Sequence, residues 1–396
     1  MAKSITCRTL CGYRSTAQPN AHYFDDLVNM LKSKPDKFQK KILRGSYWGK
    51  DVKEMKFDAV VGNPPYQEEG ISSRKAPVYH YFYDASFALS KTVSLITPGR
   101  FLFDAGQTPK EWNEKMLNDP HFRVVHYYPD SKDLFPTVEI KGGIVITYRD
   151  ADADYGAIGV FAMSDELRSI VKKVSSCEEG NNRLNTIIAS QGLFRFSELF
   201  FLEHPESKAL IGEGTGSKIV SSIMEKLPEV FLKAPEDSSS YIKMYGRIDG
   251  KRSSRFIERR YLVENSSIDK FKVFIPEANN TGKFGETLSL PYVGLPCEGS
   301  ADTYLCGGPF ESKEECENFI KYFKTKFFRC LLGVKKATQH CPPGVWETIP
   351  VQDFTNSSDI KWDNSPDVID ARLYGKYGLS EGEIDFIERN VQTQTD

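Results

Sequence analysis

Phe57-Asp58-Ala59-Val60-Val61-Gly62-Asn63-Pro64-Pro65-Tyr66 is the stretch on which the architecture turns. Its apolar middle, residues 59–61, reads as a buried strand. The two prolines end that strand, because proline has no amide hydrogen to give to a neighbouring strand. Downstream the alternation continues through YHYFYDASFALS (79–90), VSLITP (93–98), TPKEWNEKML (108–117), RVVHYYP (123–129) and GGIVITYRD (142–150). Short runs rich in Val and Ile, separated by segments of helical period, predict a mainly parallel sheet covered by helices. The last two runs lie close enough in sequence to pair antiparallel at an edge. This is the pattern of the second half of a doubly wound α/β sheet.

Upstream, YFDDLVNMLKS (23–33) predicts an amphipathic helix closed by Pro35, and residues 1–56 contain no Gly-x-Gly turn following a strand. After Asp150 the composition shifts to aromatic and β-branched runs mixed with Gly, Ser and Asn, which predicts an α+β domain over 156–345. DELRSIVKKVSS (165–176) and GSKIVSSIMEKL (216–227) read as helices within it. ESKEECENFIKYFKTKFFRCLLGVKK (311–336) reads as one long helix, with Ile320, Phe323, Phe327 and Leu331 as its core stripe. Ser380, followed three residues later by Glu383, predicts a capping box that opens a terminal helix. The expected division is therefore 1–155, 156–345 and a C-terminal extension, 346–396.

A chain that is 40% hydrophobic and 27% charged has the composition of a globular protein. It has no apolar run long enough to cross a membrane and no signal core, so a cytoplasmic protein without a membrane partner is expected. The eight cysteines show no C-x-x-C spacing, which predicts free thiols and no structural metal. A net charge of −2 argues against coating nucleic acid through general electrostatics. Contact with DNA would fall to local basic patches.

The Asn-Pro-Pro-Tyr turn suits one kind of chemistry. The exocyclic nitrogen of adenine is a poor nucleophile while its lone pair is delocalised into the ring. Drawing its two hydrogens out of the ring plane frees that pair, and the acceptors available are the Asn63 side-chain oxygen and the Pro64 carbonyl, carried on a φ-locked chain. The target atom is out of reach inside a duplex, so the base must be flipped out and held by stacking, a role for which Tyr66 is placed. An open α/β sheet binds ligands beyond the carboxyl ends of its strands, where this turn sits. The plainer alternative is a Pro-Pro turn that only closes a strand.

Asn63-Pro64-Pro65-Tyr66 resembles motif IV of the amino-methyltransferases, and the wider chain is similar to the Eco57I-like restriction-modification methylases. The resemblance runs from about Lys56 to Arg389 and includes LITPGRFL (95–102), DLFPTVEIKGGIVITY (133–148), FKVFIPEANN (271–280), TYLCGGPF (303–310), PVQDF (350–354) and RLYGKYGLSEGEIDFIE (372–388). It implies an adenine-N6 methyltransferase with Asn63, Pro64, Pro65 and Tyr66 as its catalytic loop and S-adenosylmethionine as methyl donor. Phe135 falls where the family places a residue near the flipped base. The sheet half would be followed by a target-recognition domain that reads double-stranded DNA. The family also carries a Phe-x-Gly-x-Gly turn and an acidic residue for the donor, and residues 1–56 lack that pattern. The expectation is that this chain does not bind the donor alone.

Two classes of function remain open on this reading. One is an enzyme, either truncated and missing its N-terminal cofactor half or completed by a second polypeptide that supplies it. The other is a non-catalytic, sequence-specific DNA-binding module. Both need basic contacts, and two stretches offer them: KMYGRIDGKRSSRFIERR (243–260) and KYFKTKFFRCLLGVKK (321–336). Arg247, Lys251, Arg252 and Arg255 suit a groove, and Lys321, Lys324 and Lys335 suit phosphates. The bland reading of each stretch is a solvated surface.

Overall fold

The apolar runs on either side of the Asn63 turn line up in one sheet. The computed structural model describes residues 5–6, 28–43, 57–68, 76–137, 139–177, 182–212, 214–235, 237 and 240–394. The chain forms two compact units, Met1–Met163 and Ser164–Asp396. In the first, β1 (Ile5–Thr6), β2 (Ala59–Gly62) and β3 (Thr92–Pro98) run parallel, with Val60 level with Ile5 and Val93. β4 (Phe122–Tyr128) and β5 (Ile144–Asp150) follow antiparallel, in the order β1-β2-β3-β5-β4. The edge pair expected from the sequence is therefore present.

One expectation is corrected here. β2 is not buried on both faces: Val60 is buried and Val61 is 49% exposed. The same period-two pattern continues on β3, where Val93 and Leu95 are buried and Ser94 and Ile96 are half-buried. Against the buried side, Tyr83 of α2 (Tyr79–Leu89; α1 is Pro35–Leu43) sits with its hydroxyl 3.0 Å from Thr97 Oγ1 and 2.7 Å from Thr147 Oγ1. Those two bonds tie α2 to β3 and β5 at the end of the sheet where Asn63 emerges. Pro35 does not merely close the preceding helix, which spans 28–33 among the described residues; it opens α1, where its missing N–H would have lacked a partner anyway. Residues 23–27 of the expected helix lie outside the described residues.

The second unit holds a four-stranded sheet, β10-β9-β12-β6, and a three-stranded one, β11-β7-β8. The strands are β6 (Ile188–Ala189), β7 (Tyr241–Ile248), β8 (Lys251–Glu258), β9 (Phe271–Pro276), β10 (Tyr292–Gly294), β11 (Glu298–Ser300) and β12 (Tyr304–Phe310). Phe194, Phe196, Phe200, Phe231 and Phe274 are all buried in one cluster with Ile and Met side chains, each ring contributing roughly 1.5–3 kcal/mol. β7 and β8 meet at Asp249-Gly250, whose φ values of 50° and 71° are those of a two-residue hairpin turn that favours Asp-Gly.

The helices follow the sequence pattern only in part. α4 (Asp165–Ser176) spans the residues expected of it and begins where Ser164 accepts from the Leu167 amide (α3, in the first unit, is Lys110–Asn118). The segment 216–227 is helical only over Ile223–Lys226. Its earlier part pairs with 194–196 instead: Phe196 N donates to Ser217 O at 2.8 Å and Ile219 N to Phe194 O at 3.4 Å. The single helix expected over 311–336 is two, α5 (Lys313–Lys324) and α6 (Lys326–Lys335). Thr325, at φ −65° and ψ 150°, breaks the run and caps α6. The residues expected as a C-terminal extension belong to the second unit. There α7 (Pro366–Lys376) presents Asp370 to the amides of Lys326 and Phe327, both at 2.8 Å, and α8 (Glu381–Asn390) opens with the expected Ser380–Glu383 capping box.

Candidate active site

β2 delivers its turn at the carboxyl end of the parallel strands, between β1 and β3. Asn63 is exposed, Pro64 is buried, and Pro65 and Tyr66 are half-buried. The buried proline anchors a loop whose neighbouring amide faces outward. The chain then pairs with itself: Val78 N donates to Tyr66 O at 3.1 Å and Glu68 N to Ala76 O at 3.0 Å. Tyr66 is thus held by backbone on its far side and by β2 on its near side.

Tyr66 walls a cleft of about 450 Å³, with Glu68, Tyr79, Arg100, Gln107 and Glu139 among its lining residues. Burial pushes the Tyr66 hydroxyl up to about 12, against the opposing effect of the adjacent Asn63 side chain. Tyr79 is likewise pushed up to about 12 by burial, opposed by Thr108 and by the Arg100 charge. Both phenols stay protonated at neutral pH, so they offer flat apolar rings and hydroxyl donors, not bases. Asn113 fixes the opposite lip, donating to Asp104 at 2.8 Å and accepting from Thr108 at 2.7 Å. Between those residues Gln107 is held at φ 67°, a left-handed conformation that costs a non-glycine residue about 1–3 kcal/mol and tends to occur at ligand sites.

The structure brings Asn63, Pro64, Pro65 and Tyr66 together, as their adjacency requires. Phe135 lies half-buried in the loop that carries Glu139 and Ile140, its amide donating to Ser131 O at 2.8 Å; Glu139 and Ile140 line the cleft, and Phe135 does not. Tyr79, Arg100, Gln107 and Glu139 carried no functional signal in the sequence. Arg100 came nearest to one, as a charge placed immediately past a core strand in LITPGRFL.

S-adenosylmethionine is the donor that the resemblance implies; the residues that follow β1 lie outside the described ones, and the two other parallel strand ends can be compared with the expected glycine turn. Neither β2, which runs into Asn63, nor β3, which runs into Gly99-Arg100, ends in a Gly-x-Gly turn. The glycines at 212, 214 and 216 follow the short helix Ser207–Leu210 in the second unit, with Thr215 N bonded to Gly212 O at 3.1 Å as in an ordinary turn. Among the described residues, no group of three His, Cys, Asp or Glu side chains is placed to hold a metal ion.

In the second unit the basic residues divide. Arg247 is directly opposite Arg252 across the β7–β8 hairpin, whereas Lys251 is level with Ile248 and Arg255 with the buried Met244, on the other face. The four do not form one surface. Arg247 donates to Gly250 O through Nη2 at 2.7 Å, and Arg255 to Ser254 O at 2.9 Å. The stretch 321–336 is not a free basic face: Lys335 is paired with Glu347 at 2.6 Å and Lys336 with Glu286 at 2.8 Å, and Lys326 is paired with Glu388. Lys321 and Lys324 are half-buried on α5. These acidic partners lie far off in sequence, which is why the stretch looked uncompensated.

Residues 1–135 match the family model of the Eco57I restriction-modification methylase. That match begins upstream of Lys56, where the sequence reading had placed no resemblance, and ends well short of Arg389. Over 104 residues the chain is 31% identical to an uncharacterized adenine-specific methylase of Mycoplasma pneumoniae, covering 25% of this chain and 25% of that protein. A solved structure of the type IIL restriction-modification enzyme MmeI in complex with DNA gives a TM-score of 0.39 at 11% identity, covering 84% of this chain and 57% of that one. The chain is thus similar to restriction-modification methylases of the adenine-specific kind, and it spans a quarter of the curated relative it matches.

Proposed function

We propose, on the premise of an Eco57I-type methylase segment over residues 1–135, that this chain is the amine-holding part of a site-specific DNA adenine-N6 methyltransferase. Its proposed substrate is double-stranded DNA. The observation that carries this reading is an exposed Asn63 at the end of a parallel strand, next to a buried Pro64 and a Tyr66 that walls a cleft. An adenine extruded from the duplex would lie against the Tyr66 ring, its amino hydrogens accepted by Asn63 Oδ1 and the Pro64 carbonyl. Holding both hydrogens out of the ring plane moves the nitrogen lone pair out of conjugation and makes it the nucleophile. Of the four loop residues only Tyr66 lines the cleft, so a base stacked on it would itself cover the exposed Asn63 from water and strengthen that hydrogen bond as charge develops on nitrogen.

S-adenosylmethionine would supply an electrophilic methyl group. We assign its binding to a second polypeptide. Calorimetric titration of the donor into the purified chain is expected to show weak or no binding, and micromolar affinity would overturn that assignment. The test of the main reading is the N6-methyladenine content of native-host DNA, resolved by sequence context. Asn63→Ala should remove the same methylated context that deletion of the whole gene removes. Retention of that mark by Asn63→Ala, with the mark lost on deletion, would exclude the loop from catalysis.

A further inference from the structure

Arg100 lines the same cleft and has no assigned part in holding a base. It follows Pro98 and Gly99 at the end of β3, and its stem lies against two glycines with positive φ. A Cβ at Gly106 (φ 93°) would come within 2.8 Å of Arg100 Cβ and Cδ, and a Cβ at Gly142 (φ 81°) within 2.6 Å of Arg100 Cγ. Two loops from different parts of the sequence have thus given up side chains where the arginine passes. Its Nε is shielded from solvent without a hydrogen-bond partner, and no described carboxylate forms an ion pair with it. Of the two acidic residues on the cleft wall, Glu68 is already engaged by Lys32. A guanidinium with a built channel and no counter-ion among the described residues is suited to a ligand anion, and its planar fork matches a phosphate.

Position fixes which anion. Gly62, the last residue of β2, is level with Leu95; continued by one residue, that register would bring Asn63 to the level of Ile96, and β3 runs on to Pro98 before Arg100 emerges. Two strand residues add roughly 7 Å, the reach of a base from its amino group to its sugar. We propose that Arg100 binds the backbone phosphate of the nucleotide whose base enters the cleft, so that the site takes an adenine nucleotide and not a bare base. This rests on the reading of Asn63 and Tyr66 as the base site. Arg100 is then a positioning and binding residue, acting on the sugar-phosphate while the loop acts on the amine.

The test is ligand-observed saturation-transfer NMR on the full chain with adenosine and with adenosine monophosphate, which reads millimolar binding. The wild type should bind the monophosphate about tenfold more tightly than adenosine, the gain expected of one charge-assisted contact. Arg100→Met keeps the stem that packs on Gly106 and Gly142; it should bring the monophosphate down to the level of adenosine and leave adenosine unchanged. Arg100→Lys should restore part of the preference, because it restores the charge without the fork. An unaltered preference in Arg100→Met, or none in the wild type, overturns the phosphate role. So does equal weakening of both ligands in Arg100→Met, which would make Arg100 only a wall of the cleft. If adenosine does not bind, or binds equally to Asn63→Ala, the base-site reading itself fails, and that result is distinct from the others.

Discussion

Tyr66 can act on a base through its ring or through its hydroxyl, and the two are separable. Its hydroxyl is buried and pushed up to about 12, so it supplies no base at neutral pH. If the ring is the working part, Tyr66→Phe should retain methyl transfer within a few-fold. Tyr66→Ala should lose the roughly 1–3 kcal/mol of one base-aromatic stack, about 5- to 150-fold. Initial rates of methyl incorporation in a system where the wild-type chain is active decide it; equal loss in both variants would move the role to the hydroxyl. This residue and its three predecessors can be picked out in the sequence as a candidate loop because the chemistry proposed for them lies within four consecutive positions. Arg100, Gln107 and Glu139 were not, because the cleft exists only once loops after β3 and before β5 meet the loop after β2.

Elements show where local pattern misleads. From 311 to 336 the apolar stripe has one helical period throughout, and nothing in that period betrays the break at Thr325. The break has a local cause: Thr325 Oγ1 donates to Tyr322 O at 2.7 Å and accepts from Phe328 N at 3.1 Å, ending one helix and capping the next. Thr325→Ala should therefore cost about 1–2 kcal/mol in urea unfolding, and Thr325→Ser much less; a cost within error for Thr325→Ala would show that the buried Asp370 holds the turn unaided. The hairpin carries a prediction about DNA. Arg247 and Arg252 face each other on one side, a like-charge pair whose repulsion an anion would relieve. Replacing both by Gln should cost roughly 1–3 kcal/mol on the cognate duplex. Lys335→Gln should leave affinity and salt slope unchanged in fluorescence anisotropy, because Glu347 already neutralises it. A flattened salt dependence in Lys335→Gln would restore that lysine to the interface.

At the scale of the molecule, strands β2 to β5 and the antiparallel pairing of the last two are readable from the order of the apolar runs, whereas the sheet is mixed and not mainly parallel, because β5 also pairs antiparallel with β3, and the composition of the second unit is not readable. Residues 346–396 looked like an appendage because their partners, Lys173 and the first turn of α6, lie far back in the chain. That packing makes the stability of the molecule depend on pH through Asp370. Burial pushes its carboxyl up to about 7, opposed by the amides of Phe327 and Lys326; Glu388 adds to the rise and Arg329 opposes it. An unfolded Asp titrates near 3.9. Between about pH 4 and 7 the folded protein therefore holds a proton that the unfolded chain has lost, so the Asp370 contribution to stability falls as pH rises through that window. Glu383 works the other way lower down. Burial would raise its pKa, but Lys173 and the Ser169 and Ser380 hydroxyls bring it to about 2, so its contribution is intact above the unfolded Glu value and is lost as pH falls towards 2. The two windows scarcely overlap, which makes Asp370 separable. Denaturant midpoints of the full chain measured from pH 4 to pH 8 should decline more steeply for the wild type than for Asp370→Asn, which has no proton to lose. The variant should be less stable at every pH, since one backbone amide then meets an NH2 group, but its curve over that window should be the flatter of the two. Parallel curves would place Asp370 in its ionised form throughout, with the two amide bonds outweighing burial.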